Sequence, residues 1–207
     1  MTDEPDRYFY EPARGHGLPH NPLNAIVAPR PIGWIGTVGT GGVNLAPYSF
    51  FNALGYTPPL IGFSSTAPKH SLRNARERGE FVWNMVTFAL AEAMNRTSAS
   101  VEYGVDELAL AGLTAVPSRV VAVPRVAESP VQFECRVTDI ITLRDVAGDP
   151  TINTLVVGEV VGVHIRRDLL RDGIFDTFAA DSVVRAGGPS AYARVLPQSR
   201  FDMRRPD

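Results

Sequence analysis

The sequence lacks several features that would assign a protein to a class by themselves. Cys135 is the single cysteine among 207 residues, so no intramolecular disulfide can form and a reducing compartment is expected. No apolar run approaches the roughly 20 residues that span a bilayer. The opening residues, MTDEPDRYFYEP, lack the basic and apolar regions of a signal peptide. We therefore expect a cytoplasmic protein that has no membrane segment.

A strong charge of one sign is also lacking. The formal net charge is −2 at pH 7, and acidic and basic residues are interspersed along the chain. Without a block of Lys and Arg, nothing in the sequence favours nucleic acid or an anionic membrane as a partner. The 18 glycines and 17 prolines favour many turns over a bundle of helices.

Motifs for nucleotide loops and metal sites are missing as well. The glycine-rich run 36–42 lacks the spacing of a dinucleotide loop and precedes an apolar run of strand type, so it predicts a hairpin turn. No Walker-type loop occurs. His16 and His20 have helical spacing, but Gly17 and Pro19 lie between them and argue against a helix. We expect a loop there and no metal site.

Short apolar runs between turn signals predict a mainly β fold with a few inserted helices. The predicted strands are 32–38, 43–48, 60–64, 81–86, 131–141 and 155–165, and the predicted helical segments are 68–78, 90–97 and 106–111. Strict alternation over 131–138 predicts a strand with one buried face and one solvated face, with a bulge at Asp139. A polar hairpin loop is expected over 144–153, and residues 168–207 are expected to be mixed, with helical turns.

Polar residues gather where the third predicted strand passes into the first predicted helix. Ser64, Ser65 and Thr66 leave the strand, and Lys69, His70 and Ser71 begin the helix. A phosphate is bound by hydroxyls, free backbone N–H groups and a cation on such a turn, and Asn74 follows one helical turn later. Ordinary helix capping with a solvated Lys69 explains the same residues. Residue types alone leave both interpretations open.

A second block, residues 44–52, reads Asn-Leu-Ala-Pro-Tyr-Ser-Phe-Phe-Asn. It combines small residues, aromatic surface and side-chain amides, which together suit a planar heteroaromatic ring and its polar edge. The alternative is that its aromatic residues pack in the core and its polar residues end a strand.

Taken together, these stretches resemble the flavin reductase-like family. The similarity covers about residues 29–165 and is carried by residues 30–32, 44–52, 58–59, 63–65, 69–74, 79–84, 104–108 and 128–135. The resemblance implies an antiparallel, Greek-key-like, FMN-binding split β-barrel. The expected organisation is an N-terminal arm over 1–23, the barrel domain over 24–166, and a C-terminal extension over 167–207 packed on the barrel or on a dimer partner.

The resemblance also implies a homodimer that binds FMN, in preference to FAD, near the subunit interface. The residues it places around the flavin ring are Tyr48, Ser49 and Phe50, with Thr37 and Asn52 nearby. The residues it places around the phosphate are Ser64, Ser65, Lys69, His70, Ser71 and Asn74. Arg96 and Thr97 are expected to close over the flavin. Many relatives carry Asp-Thr at positions 70 and 71, so His70 is a departure that puts the phosphate contacts there in question.

The activity implied by the resemblance is hydride transfer from NADH or NADPH to flavin, with no catalytic side chain assigned. Reduced flavin would pass to a partner monooxygenase, or stay bound and serve another electron acceptor. Because no nicotinamide fingerprint is present, a flavin-binding module without turnover, a sensor or carrier, is the alternative. A split-barrel oxidase acting on a phosphorylated pyridoxine-type substrate is a third candidate. The absence of a second basic cluster counts against it.

Overall fold

The protein folds as a set of antiparallel strands with four short helices, as seen in a computed structural model that describes residues 7–206. The strands are β1 Arg30–Pro31, β2 Gly33–Gly39, β3 Gly42–Tyr48, β4 Phe51–Tyr56, β5 Pro59–Ser65, β6 Glu80–Asn84, β7 Ala115–Val116, β8 Arg125–Val126, β9 Val131–Arg144, β10 Pro150–Ile165, β11 Leu170–Arg171, β12 Ile174–Phe175, β13 Val183–Gly187 and β14 Ala191–Arg194. The helices are α1 Leu23–Ile26, α2 His70–Arg78, α3 Ala91–Arg96 and α4 Glu107–Ala111. The prediction of a mainly β fold with inserted helices is confirmed.

Seven strands form the main sheet, in the order β3-β2-β6-β9-β10-β5-β4. Its two edge strands, β3 and β4, are neighbours in the sequence, because only Ser49 and Phe50 separate them. A two-residue connection between opposite edges requires the sheet to curl round on itself. Within the described residues β3 and β4 form no ladder with each other, so the curled sheet stays open along this seam.

Strand β2 is buried on both faces. Trp34 faces a core cluster that includes Leu45, Met94 and Leu108, and so packs against α3 and α4. Ile35, the next residue, joins a second cluster inside the curled sheet. Helices α3 and α4 therefore pack on the face of β2 that carries Trp34, and the other face of β2 lines the second cluster.

Three local predictions are confirmed in detail. The hairpin turn joins β2 to β3 where Gly39 pairs with Gly42. Helix α2 ends at Gly79, whose left-handed backbone (φ 68°) is a conformation that glycine adopts without steric cost. Helix α4 begins at Asp106, whose carboxylate accepts hydrogen bonds from the N–H groups of Leu108 and Ala109.

The prediction for β9 was partly wrong. A bulge occurs at Thr138, one residue from the expected position, because Val137 and Asp139 pair with consecutive residues of β10. The expected solvated face, however, is covered in its first half: Gln132 is 5% exposed and Glu134 is 0% exposed. The N–H groups of residues 119–121 cover Glu134, and residues 125–129 hydrogen-bond to Gln132. A periodicity signal within one strand contains no information about such a preceding loop.

Other differences concern strand extent. Strand β4 was not predicted: its first two residues, Phe51 and Asn52, had been interpreted as the end of the candidate site block, and residues 53–56 had been assigned to no element. Strand β9 continues to Arg144 and strand β10 already begins at Pro150, so the loop that connects them is shorter than expected. The C-terminal region contains four short strands in addition to two 3₁₀ turns, and β13 pairs with β1. Pairing across more than 150 residues leaves no local signal in the sequence.

None of the helices in the described part of the chain combines the length and the apolar character needed to cross a membrane. Cys135 is completely buried in the inner core cluster. Burial raises the pKa of its thiol far above the usual range, and the charge of Glu134 adds to this effect. The thiol is therefore a small packing group, as its position on the apolar face of the strand predicted.

Candidate functional site

A polar cavity of about 280 Å³ lies where α2 begins. Its walls come from four separate segments: β3, the turn and first residues of α2, the loop after α3, and the first residue of α4. The lining residues are Asn44, Ala46, Pro47, Tyr48, Pro68, Lys69, His70, Ser71, Thr97, Ser98, Ala99, Ser100, Val101 and Glu107.

The N-terminus of α2 supplies the cavity with positive charge. Lys69 occupies the capping position, but its side chain makes no capping hydrogen bond, and no acidic residue lies in the first turn. The first N–H groups of a helix have no partner within the helix and attract anions. Lys69 is also the only lysine of the whole chain, since the other basic side chains are arginines. The site thus joins one ammonium group to a helix start that lacks a cap.

Tyr48 provides a buried hydroxyl without a partner. The residue is 6% exposed, and within the described residues its hydroxyl makes no hydrogen bond of ordinary geometry, although the Ser71 and Ser65 hydroxyls lie beside it. Burial raises the pKa of this phenol, and the Ser71 and Ser65 hydroxyls, its polar neighbours, act in the opposite direction. An unsatisfied buried hydroxyl costs free energy, about 1–3 kcal/mol. A polar ligand in the adjoining cavity would remove that cost.

Glu107 is the one carboxylate of the lining. It is 4% exposed, and its Oε2 accepts a hydrogen bond from the Leu45 N–H at 3.2 Å. Burial raises its pKa, and hydrogen bonds from backbone N–H groups and the charge of His70 partly oppose this. The Asn44 side chain lies between Glu107 and Ser71, with 2.9 Å between Asn44 Nδ2 and Ser71 Oγ.

The loop after α3 forms the outer rim and is held by two anchors. The Thr97 hydroxyl accepts a hydrogen bond from Trp34 Nε1 at 2.9 Å and donates one to the Met94 carbonyl oxygen at 2.7 Å. Its single proton is therefore used within the protein. Further along, the Tyr103 hydroxyl accepts a hydrogen bond from the Gly41 N–H at 3.1 Å, and its ring packs edge-on against His70.

The structure brings five of the predicted site residues together in this cavity. They are Tyr48, Lys69, His70, Ser71 and Thr97. They come from β3, α2 and the loop after α3, which are far apart in sequence and meet only through the curl of the sheet.

Two further predicted residues, Thr37 and Asn74, lie behind the cavity wall. The Asn74 amide donates a hydrogen bond to Thr37 Oγ1, so the pair joins α2 to β2. Both side chains are buried, Thr37 at 0% and Asn74 at 1% exposure.

The remaining predicted residues lie outside the cavity lining. Ser49 and Phe50 form the seam between β3 and β4, where Arg30 donates to the Ser49 carbonyl oxygen and its guanidinium lies 5.8 Å from the Phe50 ring centroid. Asn52 is exposed on the edge strand β4.

Three more of these residues have structural contacts of their own. The Ser64 N–H donates to the Phe50 carbonyl oxygen. The Ser65 hydroxyl donates to the Ala67 carbonyl oxygen at 2.6 Å. Arg96 donates to the Ala111 carbonyl oxygen at the end of α4.

Sequence reasoning missed Glu107, Asn44 and the rim residues 99–101 as members of the site. Asn44 belonged to the block that had been singled out, and its amide was the available signal. Glu107 follows a capping aspartate, a position where an acidic residue ordinarily faces solvent and favours the helix start. No local pattern distinguishes it from such a residue.

No cluster of three or more His, Cys, Asp or Glu side chains suited to a metal ion occurs in residues 7–206.

Comparisons with known proteins agree with this architecture. A model of the flavin reductase like domain matches residues 27–181. An uncharacterized protein of Halalkalibacterium halodurans is 42% identical over 172 residues, which cover 80% of this chain and 82% of the relative. The structure of nitrilotriacetate monooxygenase component B from Bacillus cereus is 32% identical and superposes with a TM-score of 0.81. The match covers 87% of this chain and 90% of the component B chain. The structure of 2-nitrobenzoate 2-nitroreductase from Pseudomonas fluorescens is 30% identical and superposes with a TM-score of 0.77. The match covers 89% of this chain and 88% of the nitroreductase chain.

The family model and the similar structures define the class of this protein, which is a flavin-binding split-barrel protein. The chain belongs to the flavin reductase-like family. The expected resemblance and the expected fold are both confirmed.

Proposed function

We propose that this protein is an FMN-binding flavin reductase that transfers hydride from NADH or NADPH to flavin. The observation that carries the proposal is the cavity at the start of α2, where an uncapped helix N-terminus, the only lysine and the unpartnered Tyr48 hydroxyl converge. These are the groups that a phosphate dianion needs: a cation, free N–H groups and a hydroxyl donor.

The residues present fit the phosphate end of FMN. Lys69 would neutralise part of the phosphate charge. Ser71 and the N–H groups of the first turn of α2 would donate hydrogen bonds to the phosphate, and so would the Tyr48 hydroxyl. His70 lies at the same opening, where it adds a donor or a charge. Arg96, by contrast, is already engaged with the end of α4 and supports the rim rather than the ligand.

The flavin ring requires more apolar surface than this cavity offers, since Tyr48 is the only Phe, Tyr or Trp among its lining residues in the described part of the chain. We infer that the ring lies along the adjoining seam, towards Ser49, Phe50 and Asn52. Phe50 is 40% exposed there, and the Ser49 and Phe50 backbone continues directly from Tyr48. Thr37, Ser64, Ser65 and Asn74 would then support this surface from behind rather than contact the ligand.

Bound FMN would supply the hydride acceptor. The protein's own part in the reaction is to bind, to orient and to exclude water, so that nicotinamide and flavin rings meet in a reactive arrangement. No general acid or base is assigned.

We infer a homodimer, and the exposed apolar surface beside the seam supports this inference. Strand β4 ends the sheet order and presents Leu54, 51% exposed, and Tyr56, 94% exposed. An open strand edge with large apolar side chains favours pairing with another chain, and we infer that a second copy covers it and completes the ring site.

Two similar proteins support two candidates for the physiological electron acceptor. The Bacillus cereus structure is component B of a monooxygenase, and this suggests a separate monooxygenase that receives reduced flavin. The Pseudomonas fluorescens structure is a nitroreductase, and this supports the second candidate, in which flavin stays bound and electrons pass to an organic acceptor.

The experiment that tests the proposal is a titration of the purified protein with FMN, followed by NADH or NADPH in the absence of oxygen. Saturable binding with a perturbed flavin spectrum, and bleaching of the flavin on addition of either nucleotide, are the expected results. A protein that binds no FMN contradicts the proposal. Binding without any bleaching supports the alternative of a flavin carrier or sensor without turnover.

A further inference from the structure

A second cavity, of about 630 Å³, lies between helix α3 and the hairpin formed by β13 and β14. It is larger than the cavity at the start of α2 and shares no lining residue with it. Sites for small molecules occupy about 300–1,000 Å³, so its size is typical of a ligand site. Its lining is mostly apolar and includes Phe88, Ala91, Met94, Val183, Tyr192 and Leu196. A cavity of this size and character suits the apolar body of a small organic molecule.

One face of the β13–β14 hairpin forms a wall of this cavity. Val183 pairs with Arg194 and Arg185 pairs with Tyr192, so these four side chains lie on the same face of the hairpin. All four line the cavity. Val183 and Met94 are 4% and 2% exposed and belong to one core cluster, so the inner wall continues into the core of the protein.

The two arginines of this wall differ in charge compensation, although each lies over an aromatic ring. The Arg194 guanidinium is 4.2 Å from the Phe88 ring centroid and donates to both carboxylate oxygens of Asp181, at 2.8 and 2.7 Å. The Arg185 guanidinium is 4.7 Å from the Tyr192 ring centroid. Its hydrogen bonds go to backbone carbonyl oxygens rather than to a carboxylate. Arg194 is therefore neutralised within the protein, and Arg185 is not.

The turn of the hairpin fixes the position of the Arg185 charge. Its two Nη atoms donate to the carbonyl oxygens of Gly188, Pro189 and Ala191, at 2.9, 3.2 and 3.3 Å. Within residues 7–206 no carboxylate forms an ion pair with it. Glu92 is the one carboxylate among the described lining residues, and it is exposed on α3, where water screens its charge. A held cation beside an apolar wall, without a counter-charge, favours an anionic ligand.

We propose that this cavity binds a monocarboxylic acid with an apolar body. The carboxylate pairs with Arg185, because a planar guanidinium matches a carboxylate in shape and balances its single charge. The body lies against Phe88, Tyr192 and the cavity face of α3. A phosphate dianion fits less well, since its second charge would lie uncompensated against apolar side chains. The site is separate from the cavity at the start of α2, so the inference goes beyond the proposed function and does not rest on it.

The test is calorimetric titration of the intact protein with phenylacetate and with phenylacetamide, its neutral analogue. We expect saturable binding of phenylacetate at one site, and binding of the amide that is weaker by about tenfold or more. Arg185→Gln should weaken phenylacetate binding by about ten- to a hundredfold, the loss of one charge-assisted contact. Arg166→Gln is the control, because it removes an exposed arginine outside the lining, and it should keep the wild-type Kd.

A second variant tests the cavity without changing Arg185 or the turn that holds it. Ala91, Met94 and Asn95 have i, i+3 and i+4 spacing on α3, and all three line the cavity. The larger side chain in Ala91→Phe should therefore project into the cavity and abolish phenylacetate binding, while circular dichroism shows the wild-type fold.

Three results would overturn the inference. They are no saturable binding of phenylacetate to the wild-type protein, equal binding of phenylacetate and phenylacetamide, and a wild-type Kd in both Arg185→Gln and Ala91→Phe. A second copy of the chain seated in the cavity would give the first of these results. Because the titration uses no FMN, none of these results bears on the proposed function.

Discussion

The Asn74 amide nitrogen donates a hydrogen bond to Thr37 Oγ1 over 3.2 Å, and so joins helix α2 to strand β2. Its amide oxygen accepts a hydrogen bond from the Tyr103 hydroxyl at 3.1 Å. One buried side chain thus connects the helix that begins at the cavity, the strand behind it and the segment that continues the cavity rim. The geometry of the cavity depends on this connection, although Asn74 does not line it.

The first prediction concerns Gly39, which lies beside this connection. A Cβ atom at Gly39 would be 2.0 Å from Asn74 Oδ1 and 2.5 Å from the Tyr103 hydroxyl. We expect Gly39→Ala to displace both side chains, to lower stability by about 1–3 kcal/mol and to weaken FMN binding. Denaturant unfolding and FMN titration measure the two effects.

Gly36 on the same strand is the matched control. A Cβ atom there would meet its nearest neighbour, the Pro124 carbonyl oxygen, at 3.5 Å, which is an ordinary contact. Gly36→Ala should therefore leave the stability nearly unchanged. If the two alanine variants unfold at the same denaturant concentration, Asn74 does not have the connecting role described here.

The second prediction concerns Lys69. Removal of its ammonium group in Lys69→Ala should weaken FMN binding by about 1–3 kcal/mol, the range for one charge-assisted hydrogen bond to phosphate. Arg76→Ala, which removes an exposed charge from the last turn of α2, is the control and should bind FMN with nearly the wild-type Kd. Equal Kd values for Lys69→Ala and the wild-type protein would exclude Lys69 from the site.

The third prediction concerns Glu134, a buried carboxylate remote from the cavity. Burial alone would raise its pKa, but hydrogen bonds from the N–H groups of Arg119, Val120 and Val121 and from His164 outweigh burial and lower it from 4.5 to about 2. Since the folded state favours the ionised form, its contribution to stability is complete above pH 4.5 and is lost as the pH falls towards about 2.

We expect Glu134→Gln to lower the unfolding free energy at pH 7 by about 1–3 kcal/mol, because three backbone N–H groups lose their charged acceptor. The variant should also lose stability less steeply than wild type between pH 4.5 and 2. Urea unfolding across this pH range gives both values, and Glu92→Gln, at an exposed position, is the control. Parallel pH profiles for wild type and Glu134→Gln would contradict this role.

The fourth prediction concerns the open edge of β4. Tyr56 is 94% exposed, so Tyr56→Glu should leave the folded chain intact while it places a charge in the proposed dimer contact. We expect light scattering at micromolar concentration to give a dimer for wild type and a smaller mass for the variant. Ile174→Glu, exposed at 71% on β12, should remain dimeric. A single-chain mass for the wild-type protein would refute the dimer.

The parts of the fold that the sequence predicted are those set by local chemistry. Gly39 and Gly42 mark a hairpin, Gly79 ends a helix and Asp106 begins one, because each effect acts over a few residues. The burial of Glu134 could not be predicted, since the covering loop lies 13 to 15 residues before it and outside the alternation of its strand. The exposed edge strand β4 was missed because Phe51 and Asn52 had been assigned to a ligand surface and residues 53–56 to no element.

The residues of the candidate site show the same difference between what local sequence predicts and what depends on the tertiary fold. Lys69, His70 and Ser71 were found as a local cluster of hydroxyl, imidazole and ammonium groups at a helix start. The meeting of that cluster with Tyr48 and Glu107 depends on the curl of the sheet, which no window of sequence describes. Thr37 was expected near the flavin ring and Asn74 near the phosphate, and their hydrogen bond to each other, rather than a position in the cavity lining, emerged only from the structure.

The most direct test of the account uses the fact that Lys69 is the only lysine of the chain. Acylation of the native protein with an amine-selective reagent, followed by mass spectrometry of the peptide that contains Lys69, reports on this one side chain. The account predicts that saturating FMN protects Lys69 from modification, while riboflavin, which lacks the phosphate, protects it much less. Equal modification of Lys69 with and without bound FMN would contradict the claim that this cavity holds the phosphate.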